Sequence, residues 1–443
     1  MHKLKNLLNP LLSNSGMKKY FQNTSWLFLE KTIRMLVGFL VMAWTAKYLG
    51  PEDFGTFNYV QGYVLLFSGI ATLGLDTILV RELVKNPKNS NEYLGTVFTL
   101  KLLGSIVAFG AIALALNIQA EDSNIKLFVY IIAFSNIFQA FNVIDGFYQS
   151  KVLSKYVVAV NTIGFLISSL VKIYLIYINA ELILFIYVLI FDKIILAIGY
   201  LYIYKNENYS IKNWKFNLET SKILIIDSWP LIFSGTVLMV QARIDQVMIK
   251  EFLGVKEVGY YSTALMFIEA FGFLAVILKQ SITPALINAK RISKELYEER
   301  LLNLYRISFI LFIITAASLV IISNYVILIF FGKEYLPAVA LLSIYSIRLF
   351  FTYMGVARST YILVENIFKY SLFSMAMGAI INVILNYLLI PIYGTTGAVI
   401  ATILSFSITV FVIDAFYSKT KRNFVLMMIA IISFYKINLS KIR

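Results

Sequence analysis

Tyr48-Leu49-Gly50-Pro51-Glu52-Asp53-Phe54-Gly55 has a counterpart later in the chain, Phe252-Leu253-Gly254-Val255-Lys256-Glu257-Val258-Gly259. In each, an aromatic residue and Leu-Gly close an apolar run, charged residues follow, and a second glycine stands five positions on. The offset is 204 at Gly50 and Gly254 and 203 at Ser25-Trp26 and Ser228-Trp229, which open the apolar run in each case. The chain reads as two related halves.

What surrounds these segments makes them membrane helices. Of 443 residues, 59% are hydrophobic and 14% charged, against ~25% charged in an ordinary soluble protein, and mean hydropathy is +0.78. A soluble fold could not hide that much apolar surface. A spanning helix needs ~20 mainly apolar residues, and twelve segments qualify. The first half holds Phe21–Ala46, Phe54–Val80, Tyr93–Leu116, Ile125–Gln149, Tyr156–Ile178 and Leu182–Tyr204. The second holds Ile223–Ile249, Val258–Asn288, Leu301–Ile322, Leu336–Val364, Phe368–Ile390 and Gly394–Ser418. Six is even, so both halves enter the membrane from one side and form a parallel repeat about an axis along the membrane normal. The expected fold is an all-α integral membrane protein with twelve transmembrane helices in two six-helix bundles, related by a parallel pseudo-two-fold. The bundles span 21–204 and 223–418. The polar loop 205–222 is expected to be the hinge between them, and a polar cleft is expected between the bundles.

The flanks are read as tails. Residues 1–20 are basic and polar, without the apolar core and small-residue site of a cleavable signal peptide. Leu4, Leu7, Leu8, Leu11 and Leu12 fall at helical spacing, which suits a short interfacial helix limited by Pro10. A basic tail, 419–443, carries the apolar patch Phe424–Phe434, too short to span and expected to be interfacial. Basic residues set the orientation. The tails and the loops on their side carry 24 Lys and Arg, the opposite loops five. The positive-inside rule then puts both termini in the cytoplasm and accounts for the net charge of +15 without nucleic acid.

Composition excludes several chemistries. There is no Cys, and the one His is His2, so disulfides, thiolate metal sites and Ser-His-Asp catalysis lack their parts. No Walker P-loop is present. No cofactor, metal or catalytic residue is implied, and the expected partners are lipid, a cargo and a coupling ion, H+ or Na+.

Several segments carry a resemblance. Lys47-Tyr-Leu-Gly-Pro-Glu-Asp-Phe-Gly-Thr-Phe-Asn-Tyr59 resembles the first-loop signature of polysaccharide-biosynthesis flippases, the O-antigen and capsule translocases of the multidrug/oligosaccharidyl-lipid/polysaccharide exporter superfamily. Similar matches are Leu73-Gly-Leu-Asp76, Ile244-Asp-Gln-Val-Met-Ile249, Phe252 to Ala264, Phe331-Gly-Lys-Glu-Tyr-Leu-Pro-Ala338, Asn382-Val-Ile-Leu-Asn386 and Ile390 to Gly397. The resemblance covers roughly Asn23 to Ser418. It implies a MATE-like arrangement in the bacterial inner membrane and flipping of an undecaprenyl-diphosphate-linked oligosaccharide from the cytoplasmic to the periplasmic leaflet, and it implies no enzyme. Peptidoglycan-precursor flippases of the superfamily carry two extra spans, which the short patch at Phe424–Phe434 does not match. A cation-coupled multidrug antiporter of the same superfamily is the alternative; its discriminators are an acidic cavity and a proline inside the first span, and Trp26–Ala46 has none. An integral-membrane glycosyl polymerase would want a long outer loop, which is missing.

Charges inside the spans nominate the site. Ten bases and eight acids lie within or at the edges of spans. At ~3 kcal/mol or more for each lipid-facing charge, all of them together would cost roughly 50 kcal/mol, far above a net stability of ~5–15 kcal/mol. Asp227, Arg306, Lys101, Asp414, Asp145 and Arg358 lie near the cytoplasmic surface and are expected to snorkel or anchor topology. Lys31, Arg34, Arg243, Glu269 and Arg348 are deeper and are the cavity candidates, since a guanidinium fork suits a diphosphate. Glu30, Asp76, Asp192 and Asp245 are the candidates for ion coupling or pairing. Glu30 and Arg34 are four apart and could pair with each other. Neighbouring Asp192 and Lys193 each need a partner from another helix.

Overall fold

A computed structural model describes residues 15–119 and 121–437, with side chains from residue 30 onward except that of Ser281. The leucines read as an N-terminal interfacial helix lie outside the described residues. Every regular element among the described residues is helical. Among the described residues eleven helical stretches are long and apolar enough to cross a bilayer, and the first, Glu30–Leu66, is two elements joined at Gly50. Twelve spans result, the fold expected from hydropathy. The first helix begins at Ser15. The seventh, eighth and ninth spans, Leu218–Leu253, Val255–Ile292 and Lys294–Phe330, run 36 to 38 residues, ~55 Å of helix against ~30 Å of hydrocarbon, so their ends emerge from it.

The repeat motif is a backbone device. Gly50 has φ 72 and ψ 173, and Gly254 has φ 92 and ψ 171, a region essentially restricted to glycine. Each glycine ends one span and redirects the chain into the next. The second glycine of each motif serves a crossing. A Cβ on Gly55 would lie 1.8 Å from the Val255 carbonyl oxygen, and one on Gly259 would lie 2.0 Å from that of Pro51. Adding 204 to 51 and 55 gives 255 and 259, so the two contacts are the same contact seen from either side, the signature of a two-fold. Gly55→Ala or Gly259→Ala is therefore expected to destabilise the protein by about 3 kcal/mol or more, because a backbone carbonyl cannot rotate away. Loss of the monodisperse peak in detergent at wild-type expression would show it; an unchanged melting temperature would contradict the crossing.

Four spans are broken. The second runs to Leu66, resumes as Ser68–Thr72, and after Leu73 and Gly74, both left-handed, continues as Leu75–Lys85. The fourth, Ser123–Ser135, passes through a 3-10 segment, Asn136–Asn142, into Val143–Ser150. The tenth divides between Pro337–Tyr345 and Arg348–Glu365, near the equivalent position of the repeat. The twelfth, Thr395–Ser407, contains a π-helical turn, Ile408–Val412, before Ile413–Phe416. Such breaks persist at membrane depth only where protein covers them.

The chain packs as two units. One comprises the chain up to Thr45 together with Tyr63–Met239; the other comprises Ala46–Gly62 and everything from Val240 on. The first centres on Leu75, Leu79, Val97, Val143, Ile144 and Phe147. It also holds the loop expected to act as a hinge. The Lys215 N–H donates to the Asn91 carbonyl at 3.1 Å, the Asn217 N–H to Thr96 Oγ1 at 3.1 Å, and Trp214 Nε1 to Tyr204 OH at 3.1 Å. The loop's backbone is bonded to the start of the third span, Ser90–Ile118, which pins it to this unit.

The second unit centres on Leu286, Leu301, Leu304, Tyr305, Met354 and Met427. Met427 belongs to the apolar patch expected to be interfacial. That patch is a 12-residue helix, Lys421–Ile432, burying Asn423, Leu426, Met427 and Ala430 at helical spacing. Tyr305 OH donates to Asn423 Oδ1 at 2.7 Å, and Arg306 Nη1 donates to the Lys436 carbonyl at 2.9 Å. The helix is too short to span, as expected, but is an integral part of this core.

Candidate functional site

Arg34 anchors the charged region of the first unit. One helical turn separates it from Glu30, and Nη2 meets Glu30 Oε1 at 3.0 Å. The pair is asymmetric: Glu30 is 7% exposed and Arg34 44%, so the acid is covered and the guanidinium keeps a free face. The same Nη2 donates to the Asn161 carbonyl at 3.4 Å, and the guanidinium lies 5.7 Å from the centroid of Phe165. Both belong to the fifth span, Ser154–Tyr177.

Arg34 opens onto a cavity of about 110 Å³, also lined by Asn161, Ser168, Lys172 and Asp192. Asp192, from the sixth span Leu182–Asn206, meets Lys172 Nζ through Oδ2 at 3.7 Å. Its Oδ1 and the Ser168 hydroxyl are buried without a protein partner among the described residues. Lys193 turns the other way and donates to Asn136 Oδ1 at 3.5 Å, in the 3-10 segment of the fourth span. The cavity offers a guanidinium, an ammonium, a carboxylate oxygen and a hydroxyl with room for partners, an environment for a small polar group that both donates and accepts.

Arg34→Ala is expected to abolish function while Arg34→Lys recovers part of it, since the ammonium keeps the charge and loses the fork. The double variant Glu30→Ala with Arg34→Ala separates two roles. It is expected to insert normally and remain inactive when it replaces the wild-type gene; restored activity would mean that Arg34 serves only to neutralise Glu30.

One further charge of this unit departs from expectation. Lys101 does not snorkel. It is buried and bonded to Asp76, which pairs the second span with the third; depth read from span ends carries no information on partners. Asp227, at the seventh span's start, is bonded to Arg81. Lys31 is exposed and has no ion pair among the described residues.

In the second unit the deep candidates fall into two groups. Arg243 and Glu269 pair with each other at 3.2 Å. Asp245 is buried and accepts three neutral hydrogen bonds, from Tyr261 OH at 2.5 Å, Thr402 Oγ1 at 2.5 Å and Asn386 Nδ2 at 2.6 Å. These come from the eighth, twelfth and eleventh spans, so one carboxylate ties four spans together, without an ion pair among the described residues. Asn386 Oδ1 and Asn382 Nδ2 are buried and unpartnered beside it. Arg348 opens the second part of the broken tenth span. Its Nη1 donates to Tyr345 OH at 2.9 Å, and its guanidinium lies between Tyr345 and Phe406, 5.3 and 4.9 Å from their centroids. Its Nε has no hydrogen-bond partner, and no carboxylate pairs with it among the described residues.

Arg358 and Asp414, expected near the surface, are instead a buried bidentate pair with contacts of 2.9 and 2.6 Å. Tyr370 OH and Asn423 Nδ2 complete the carboxylate's bonds at 2.7 and 3.1 Å. Arg306 is likewise engaged, with the residues that follow the C-terminal helix. The C-terminal helix covers what a hydropathy reading leaves open to solvent.

A family model described as polysaccharide biosynthesis protein matches residues 20–286, more than half of the chain. The chain belongs to this family. The capsular polysaccharide biosynthesis protein CapF of Staphylococcus aureus is 24% identical over 408 residues, covering 90% of this chain and 99% of that protein. Among solved structures, an inward-facing MATE-family multidrug resistance transporter superposes with a TM-score of 0.72 at 13% identity, covering 94% of this chain and 99% of that one. The lipid II flippase MurJ, in an inward closed conformation, gives 0.67 at 15% identity over 94% and 92%. The fold is the one these transporters share, and this polysaccharide biosynthesis protein is a multi-pass membrane protein.

Sequence reading missed the partners of the charges. Tyr261 and Asn386 lie in stretches already notable for their resemblance to the flippases, but nothing in one sequence says that both turn toward Asp245. Thr402 and Tyr345 carry no signal of their own.

Proposed function

We propose that this protein flips an undecaprenyl-diphosphate-linked oligosaccharide repeat unit from the cytoplasmic to the periplasmic leaflet of the bacterial inner membrane, by alternating access with both termini cytoplasmic. The observation that carries this reading is Arg348. A guanidinium deep in a span, held by aromatic faces and with no carboxylate in direct contact among the described residues, is costly unless an anion uses it. A diphosphate supplies that anion, and the fork gives bidentate contacts to it. Arg34 and Lys172, on the cavity of the first unit, supply further donors for phosphate or sugar hydroxyls. The name of the CapF relative supports a capsule-type repeat unit as the glycan.

Asp245 is the seat of the coupling ion in this reading. It is buried, it joins four spans, and its neighbours are neutral. Neutralising it would change bonds in all four spans at once, which is what coupling an ion to a conformational change requires. Export of glycan in a flippase-deficient strain tests the reading. The wild-type gene is expected to restore surface glycan, and an Asp245→Asn variant present at normal level is expected not to. Dye efflux without glycan export would favour a multidrug antiporter.

A further inference from the structure

We propose that the hydroxyls of Tyr345 and Tyr261 form a relay through which the charge on Asp245 sets the anion affinity of Arg348. The inference rests on the proposed function for the identity of the anion, but the relay itself does not depend on it.

The direction of the chain follows from the donors. Arg348 can only donate, and its Nη1 donates to Tyr345 OH at 2.9 Å. Asp245, when ionised, can only accept, and Tyr261 OH donates to its Oδ2 at 2.5 Å. Each phenol has one hydrogen. Tyr261 uses its own on Asp245, so the 2.7 Å contact between the two hydroxyls is donated by Tyr345. Arg348, Tyr345, Tyr261 and Asp245 are thus joined head to tail by three hydrogen bonds that all point from cation to carboxylate. Aligned bonds polarise one another. The two tyrosines are buried and their rings pack at 5.5 Å, which fixes the path.

Arg348 and Asp245 are therefore a long ion pair with two phenols between them. Of the other charges nearby, Glu269 pairs with Arg243 at 3.2 Å and also acts on Arg348, a pull that is present whether or not Asp245 is charged; the remaining neighbours of Asp245, Asn386 and Thr402, are neutral. Neutralising Asp245 removes the counter-charge at the far end of the chain and leaves the guanidinium more attractive to an anion. By reciprocity, an anion on Arg348 makes neutralisation of Asp245 easier. Cation and anionic cargo then load together, and a single charge is not carried through the membrane alone.

Two measurements on the purified full-length protein in nanodiscs test this. The first is a double-mutant cycle in melting temperature over Asp245→Asn and Arg348→Gln, run in the wild type and in Tyr345→Phe, which keeps the ring. The two changes are expected to be non-additive by several degrees in the wild type and additive within about 1 °C in Tyr345→Phe. Additivity in both backgrounds overturns the relay. The second is binding of farnesyl diphosphate, a short polyprenyl diphosphate. Asp245→Asn is expected to tighten it on the order of tenfold, and Tyr345→Phe to erase that gain. Binding that Asp245→Asn leaves unchanged also overturns the relay. Non-additive melts with no diphosphate binding by any variant would uphold the relay and overturn the flippase reading.

Discussion

Arg348→Ala is expected to reduce surface glycan to the level of a strain lacking any flippase, with the variant still folded and inserted. Truncating one member of a desolvated, charge-assisted contact costs ~2–5 kcal/mol, at least ~30-fold in affinity. Alanine also leaves Tyr345 without its donor. Arg348→Lys should recover only a fraction, because an ammonium cannot fork to a diphosphate and stacks less well between Tyr345 and Phe406. Glycan immunodetection beside a membrane-fraction blot reads both. Undiminished export by Arg348→Ala would remove the residue on which the function rests.

Arg358→Ala is expected to act on stability. It strips the counter-charge from Asp414, which is fully buried and ties the tenth and twelfth spans to the C-terminal helix through Asn423. Breaking a buried pair from one side costs ~3–5 kcal/mol, a fall of roughly 10 °C in melting temperature for a unit of this size. Replacing both partners, Arg358→Met with Asp414→Leu, should recover part of the loss, because no buried charge remains; Tyr370 and Asn423 would still lack an acceptor. A fluorescence-based melt in detergent distinguishes these outcomes. Equal melting temperatures for the wild type and Arg358→Ala would mean that Asp414 is solvated.

The sequence discloses what depends on hydropathy and period. Twelve apolar runs, their parity and the Gly50 and Gly254 turns are all legible, because a bilayer demands ~20 apolar residues of each span and because only glycine tolerates those backbone angles. The breaks are not legible. Ser346 and Ile347 interrupt a run that is apolar on both sides, and Ile408–Val412 forms a π turn in residues of high apolar content. Pairing is not legible either. Asp245 draws its donors from residues 16, 141 and 157 positions away, and Asp414 meets Arg358 from two spans earlier. Depth alone places Lys101, Arg358 and Asp414 near the surface, although each has a partner on another helix that holds it inside. Loop 205–222 shows the same limit, since polarity marks a linker equally well whether it is free or bonded to its neighbour.

The most direct test is transport by the purified protein alone. Proteoliposomes carrying a fluorescent polyprenyl-diphosphate oligosaccharide would be treated with a membrane-impermeant quencher, and the fraction of lipid exchanged between leaflets followed in time. The proposed function predicts protein-dependent exchange of the diphosphate-linked glycan, abolished by Arg348→Ala. Exchange no faster than in protein-free liposomes, together with gradient-driven movement of cationic drugs by the same preparation, would contradict it.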